Sequence, residues 1–134
     1  MNLALLVDIL LALAICFGGA LVRFDRDRAF YPFMMIVIAS YYALFAITGG
    51  SPHALLLELG PIAAFLIASI LGFKLNLWIV AGALFAHGIF DFFHGGLISK
   101  PGVPVWWPAF CGSYDVTAAA ILVLRRSKIA PRSP

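Results

Sequence analysis

The sequence predicts an all-α polytopic membrane protein: a bundle of five transmembrane helices with the N-terminus outside and the C-terminus in the cytoplasm. Three observations carry that prediction. Five apolar stretches, residues 3–22, 30–48, 54–73, 77–94 and 109–124, occupy most of the 134 residues. The chain is 63% hydrophobic and 11% charged, with a mean hydropathy of +1.04, well outside the composition of soluble globular domains. Finally, the charges segregate. Threading the stretches alternately through a bilayer gathers Arg23, Arg26, Arg28, Lys74, Arg125, Arg126, Lys128 and Arg132 on one side and leaves Lys100 alone opposite. The positive-inside rule assigns the crowded side to the cytoplasm.

A helix needs about 20 apolar residues to cross a hydrocarbon core of ~30 Å. Each stretch supplies roughly that, the last only if Trp106 and Trp107 begin it. Little chain remains for anything else, so residues 1–134 read as a single transmembrane domain, multi-pass in a bacterial cytoplasmic (inner) membrane. The net charge of +3 is not a nucleic-acid footprint, because the basic residues flank span ends, where they orient helices and meet anionic headgroups. No nucleic-acid partner is expected. The first stretch lacks a basic leader and carries Asp8 within its apolar run, so it reads as a retained span rather than a cleaved signal. Cys16 and Cys111 are expected too far apart to bridge.

The first span ends in Gly18, Gly19 and Ala20, small residues that admit a close neighbour. The sequence RFDRDR from Arg23 to Arg28 reads as a solvated turn whose acids, Asp25 and Asp27, have no special task. Pro32 falls in the first turn of the second span, where its missing N–H costs nothing. That span carries Tyr41 and Tyr42, whose hydroxyls are expected to bond to neighbouring helices. Gly49-Gly50-Ser51-Pro52 is a tight turn, and His53 beside it reads as a solvated loop residue. The third span presents Glu58 about one turn in. Pro61 follows and frees the carbonyl of Leu57, predicting a kink beside the glutamate. After the short turn at Lys74, Trp78 reads as an interfacial anchor. Gly82 and Ala86 form a small-xxx-small pair suited to close packing in the fourth span. The loop GGLISKPGVPVWWP is long, stiff and aromatic, and reads as a lid over the outer mouth of the bundle. The tail RRSKIAPRSP reads as a topology anchor.

Chemistry concentrates in the outer half. On the predicted threading Asp8, His53, Glu58, His87, Asp91, His94 and Asp115 lie in or beside the outer leaflet, and ionisable groups in hydrocarbon mark a site by default. His87, Asp91 and His94 are spaced i, i+4, i+7, which places them within about 60° on one helical face. His87 lies ~10 Å deeper than His94. Cys111 and Asp115 repeat the i, i+4 spacing on the fifth span; Glu58 stands at comparable depth, and Asp8 is more distant.

Three readings of these residues stand side by side. In the first, His87, Asp91 and His94 hold a divalent metal (zinc, manganese or iron), with Asp115 completing the shell and Glu58 acting as general base. In the second, the same groups form a metal-free relay or bind a polar headgroup. In the third, they are interhelical hydrogen bonds, each worth about 0.6 kcal/mol on average in membranes. Cys111 is also considered as a nucleophile paired with histidine.

At HGIFDFFHGG, KPGVPVWWP and CGSYD the chain resembles a family of small bacterial multi-pass membrane proteins with no assigned activity. That family pairs a histidine with an acid four residues on, one or two further histidines, a Gly/Pro loop, and then a cysteine followed by an acid. The resemblance covers roughly the last 80 of the 134 residues and implies a shared site at His87, Asp91, His94, Cys111 and Asp115, with Glu58 aligned more loosely. Where relatives often show paired histidines, His94 is followed by Gly95.

The function predicted from the sequence is that of a metal-dependent, membrane-embedded enzyme, a hydrolase or isomerase acting on a lipid or other lipophilic molecule. Glu58 and Asp115 are the candidate catalytic groups, and His87, Asp91 and His94 the candidate ligands. The alternative is a non-enzymatic small carrier or membrane-complex subunit, functioning as a homo-oligomer, that uses the same residues for ion or proton binding or for helix packing.

Overall fold

The computed structural model describes residues 3–98 and 102–131, with only the backbone at residues 3–5 and 8. The side chain of Asp8, together with Lys100 and Arg132, therefore lies outside the described residues. The described chain is all-helical: α1 (Leu3–Leu21), α2 (Phe30–Thr48), α3 (Pro52–Lys74), α4 (Leu77–Leu97) and α5 (Trp107–Arg125), with single 3-10 turns at Phe24–Arg26 and Arg126–Lys128. No strand occurs among the described residues. Among the described residues four helices, α2 to α5, are long and apolar enough to cross a membrane.

Local chemistry sets the helix ends. Ser51 caps α3 by accepting the Ala54 N–H at 3.1 Å, and Pro52 occupies the first turn, where proline is preorganised. The helix therefore begins two residues before the predicted Ala54. His53 is exposed, as expected, but in the first turn of the helix rather than in a loop. α3 continues through Pro61. Asn76 caps α4 by accepting the Trp78 N–H at 3.0 Å. Trp107 does start α5, which gives that segment the length the apolar run lacked.

The surface is apolar as well as the core, and a few ionisable side chains lie inside. Large apolar side chains such as Leu10, Phe17, Phe33, Leu56, Ile67 and Phe93 face outward, while Glu58, His87, Asp91, His94 and Asp115 are buried. Continuous apolar cover on this scale belongs against lipid. α5 packs against α1 and α4, α4 also against α3, and α3 against α2. α4 and α5 approach closely. A Cβ added at Gly88 would lie 2.9 Å from the Gly112 carbonyl oxygen, and one at Gly112 would lie 2.9 Å from the Gly88 carbonyl oxygen. The expected pair at Gly82 and Ala86 does not serve this purpose. Both residues are exposed, and a Cβ at Gly82 would meet nothing within 4 Å. Small residues mark a crossing only where they face a neighbour, and spacing alone does not say which face that is.

The helix ends rich in basic residues come together. The Arg28 Nε–H donates to the Phe73 carbonyl at 2.6 Å, the Arg126 guanidinium lies 4.2 Å over the Trp78 ring, and the Ala130 N–H donates to the Arg26 carbonyl at 2.8 Å. One expectation fails here. Asp25 is not in a solvated turn but fully buried, its Oδ2 accepting from Arg125 Nε at 2.5 Å. Buried acids thus occur at both ends of the bundle. The alternating pattern RFDRDR hid this, because a fixed guanidinium on another helix, 100 residues away, decides which acid turns inward.

Candidate metal centre

The site is built on the Gly88–Gly112 contact. Glycine follows His87 on α4 and follows Cys111 on α5, so the crossing brings the residues flanking each glycine face to face. His87 and Asp91 lie one turn apart on α4, and Cys111 and Asp115 one turn apart on α5. One candidate ligand atom from each of these four residues lies within 4.8 Å of every other, and all four residues are buried. His87 Nδ1 is 2.6 Å from Asp115 Oδ2 and 3.6 Å from Asp91 Oδ2. The Tyr42 hydroxyl on α2 donates to Asp91 Oδ1 at 2.7 Å. Phe65 of α3 meets the His87 ring edge-on, with centroids 4.7 Å apart.

His94, two turns further along α4, makes a separate pair. Its Nε2 is 2.5 Å from Glu58 Oε1 on α3, with both residues buried. The Tyr42 ring lies against the His94 ring at 4.0 Å between centroids and 33° between planes, so one tyrosine touches both groups: its hydroxyl the Asp91 side and its ring the His94 side. Glu58 Oε2 and His94 Nδ1 are buried without a hydrogen-bond partner.

All five predicted site residues are therefore inside the bundle, on the helices expected, but in two groups. His87, Asp91 and Asp115 converge with Cys111, whereas His94 goes with Glu58. Two participants were underweighted in the sequence. Cys111 was considered as a nucleophile and turns out to be a member of the four-residue cluster. Tyr42 was expected only to bond to a neighbouring helix, and it bonds to Asp91. A usable signal existed in the dipeptides His87-Gly88 and Cys111-Gly112, since glycine beside a polar intramembrane residue lets two backbones, and hence two sets of ligands, approach.

The donor set suits a cation. One imidazole, one thiol and two carboxylates form a ligand inventory for divalent transition metals, zinc among them. Ligands 2.0–2.3 Å from a tetrahedral ion lie roughly 3.3–3.8 Å apart, so a group already within 4.8 Å closes onto an ion with shifts of about 1 Å. The charge count points the same way. Asp91 and Asp115 are both 0% exposed, and a cation held between them would offset the cost of burying two carboxylates in their ionised form.

The described part of the predicted lid packs onto the end of α2. Gly102, at φ 83°, comes so close that an added Cβ would lie 2.5 Å from the Phe45 carbonyl oxygen. Trp107 stacks among Tyr41, Phe45 and Phe110. Cys16 and Cys111 are both buried, and no disulfide joins them.

No protein-family model matches the chain, and no curated protein or solved structure matches it either. What defines this molecule is thus its own architecture: a helical bundle with membrane-length apolar helices enclosing a buried His-Asp-Cys-Asp cluster.

Proposed function

We propose that this chain is a five-span protein of a bacterial cytoplasmic membrane, N-terminus outside, that binds one divalent transition metal at His87, Asp91, Cys111 and Asp115. With that metal it acts as an enzyme on a lipid or other lipophilic molecule. The observation that carries the reading is the convergence of four buried ligand-type side chains from two helices within 4.8 Å. Hydrogen bonding alone explains it poorly. Packing α4 on α5 requires only the glycines, and gathering two carboxylates at one point in hydrocarbon is costly unless a cation balances them.

In this reading a bound metal supplies Lewis acidity. The chain's own groups do the rest. Tyr42 orients Asp91 by donating to its Oδ1, as outer-shell partners do at metal sites. Glu58 and His94, paired at 2.5 Å, hold a proton one turn beyond Asp91 and serve as the general acid–base pair of a hydrolytic or isomerising reaction. His94 thereby takes a proton-handling role rather than the ligand role expected from spacing. Asp115 belongs to the ligand set, its carboxylate also fixing the His87 ring.

The test is elemental analysis of protein purified in detergent without added chelator. About one equivalent of metal per chain is expected, as for a four-ligand site, and His87→Ala should lose it. Wild-type protein that is fully folded and metal-free would overturn the metal reading and favour the carrier or complex-subunit alternative. Orientation is tested separately: a reporter fused after residue 134 should be active only in its cytoplasmic form.

A further inference from the structure

α1 and α2 make no extensive contact with each other, and the space between them and α5 is a cavity of about 500 Å³. That volume falls in the range of small-molecule sites, roughly 300–1,000 Å³. Its wall includes Ile15 on α1, Val37, Ile38 and Tyr41 on α2, and Trp107 and Cys111 on α5. Among the described residues no charged side chain lines it. Ile15 and Val37 are 40% and 39% exposed on the outside of the bundle, so the cavity opens sideways between helices, where a membrane protein meets hydrocarbon and not water.

Two further features separate this cavity from an ordinary gap between spans. Its wall shares a residue with the candidate metal centre: Cys111 is 4% exposed and belongs both to the lining and to the four-residue cluster. The cavity thus ends at the ligand set. One turn along α5 from Cys111, on the same face, the Trp107 indole N–H is buried without a hydrogen-bond partner. Hydrocarbon contact along the wall is complementary to an apolar chain.

We infer that the cavity bounded by α1, α2 and α5 is the binding site for one acyl chain of a bilayer lipid, entering laterally between α1 and α2, with Cys111 as the wall it shares with the candidate metal centre. This deepens the proposed function by naming where its lipid would sit, and it rests on that membrane reading. An acyl chain is the occupant favoured by lining and location together. The lining rejects a charged or strongly polar ligand, and the mouth faces the phase in which lipid is the solvent.

The experiment is photolabelling of the full chain reconstituted in phosphatidylcholine vesicles, with a trace of phosphatidylcholine bearing a diazirine on one acyl chain. Adducts should concentrate on residues 34–41 and 107–114. Val37→Phe, which narrows the mouth, should lower that labelling several-fold, and Ile67→Phe on the outer face of α3 should leave it unchanged. Metal content is measured on every sample. Wild-type metal in Val37→Phe shows that the variant is folded; if that variant loses metal, Ile15→Phe narrows the same mouth from α1 and replaces it. Adducts spread evenly over all exposed apolar faces, or undiminished in a folded narrowing variant, would overturn the inference. A metal-free wild type that keeps the localised, blockable labelling would uphold this site while refuting the metal reading.

Discussion

The bundle buries carboxylates at both ends and completes them differently. At the basic end Asp25 meets Arg125 at 2.5 Å, one acid and one permanent cation from elements 100 residues apart. In the half that holds the histidines, Asp91 and Asp115 share His87, with Cys111 alongside. Glu58 and His94 stand between these extremes as a buried one-to-one pair. A guanidinium is charged at any accessible pH, so the Asp25 site is closed and its purpose is to pin the first turn to α5. The Asp91–Asp115 site gathers two acids about one imidazole, a ratio that in the proposed function a bound cation would balance. The contrast separates a closed one-to-one ion pair from a cluster of four ligand-type side chains that could hold a metal ion.

The largest expected effect attacks that contrast directly. Asp115→Asn removes one of the two excess charges and a ligand atom, and metal affinity should fall at least ~100-fold, beyond the 10–100-fold typical of losing only an outer-shell partner. Asp25→Asn should leave metal content at the wild-type level. Equilibrium dialysis against a metallochromic competitor measures both. Equal losses in the two variants would mean that the acids near His87 are no more specialised than the one near Arg125.

Stability should rank the other way. Asp25→Ala strands a guanidinium that is 21% exposed, and breaking a buried pair by removing one partner costs about 3–5 kcal/mol. Because Arg125 retains some access to solvent and headgroups, the low end, about 3 kcal/mol, is expected. Unfolding in mixed micelles with increasing dodecyl sulfate reads this out, with metal binding unaffected. A change below about 0.5 kcal/mol would show the pair to be an ordinary surface contact.

Packing gives a third and smaller lever. Gly88→Ala places a methyl 2.9 Å from the Gly112 carbonyl oxygen and 3.3 Å from Asp115 Cβ, so the helices must part where the ligands meet. Overpacking of this kind costs about 1–3 kcal/mol, and metal affinity should fall with it. Gly82→Ala, facing open space, should be neutral or slightly stabilising, as alanine is the better helix former. Both are measured in the same micelle titration, and similar outcomes for the two would remove the α4–α5 crossing as the element that positions the site.

These residues also show what the sequence could and could not reveal. Apolar length and the gathering of arginines and lysines predicted helices at the observed places to within a few residues, because membrane insertion constrains composition over whole segments. Helical spacing put His87, Asp91 and His94 on one face, and they are all buried. What spacing could not supply is the partner on the other helix. Periodicity is blind to rotation and crossing angle between helices, so it grouped His94 with His87, whereas α3 brings Glu58 to His94. It favoured Gly82 over Gly88 for the same reason. Asp25 was misjudged because burial there is decided by a single arginine at the far end of the chain, an event with no local pattern.

Tyr42 tests the finest distinction, whether the two histidine groups act together. Its hydroxyl donates to Asp91 while its ring rests on His94, so Tyr42→Phe keeps the stacking and deletes one hydrogen bond. In a membrane that bond is worth about 0.6 kcal/mol on average and at most about 1.7, and the stability loss should fall in that interval. The metal should remain bound, but more weakly, within the 10–100-fold span of an outer-shell partner. Tyr42→Leu removes bond and ring alike. If the Glu58–His94 pair is held for its own chemistry, that variant should lose further stability, through His94, without a further loss of metal affinity. If instead Tyr42→Leu weakens metal binding well beyond Tyr42→Phe, His94 contributes to the ligand field after all, and the two groups form one centre joined through the tyrosine.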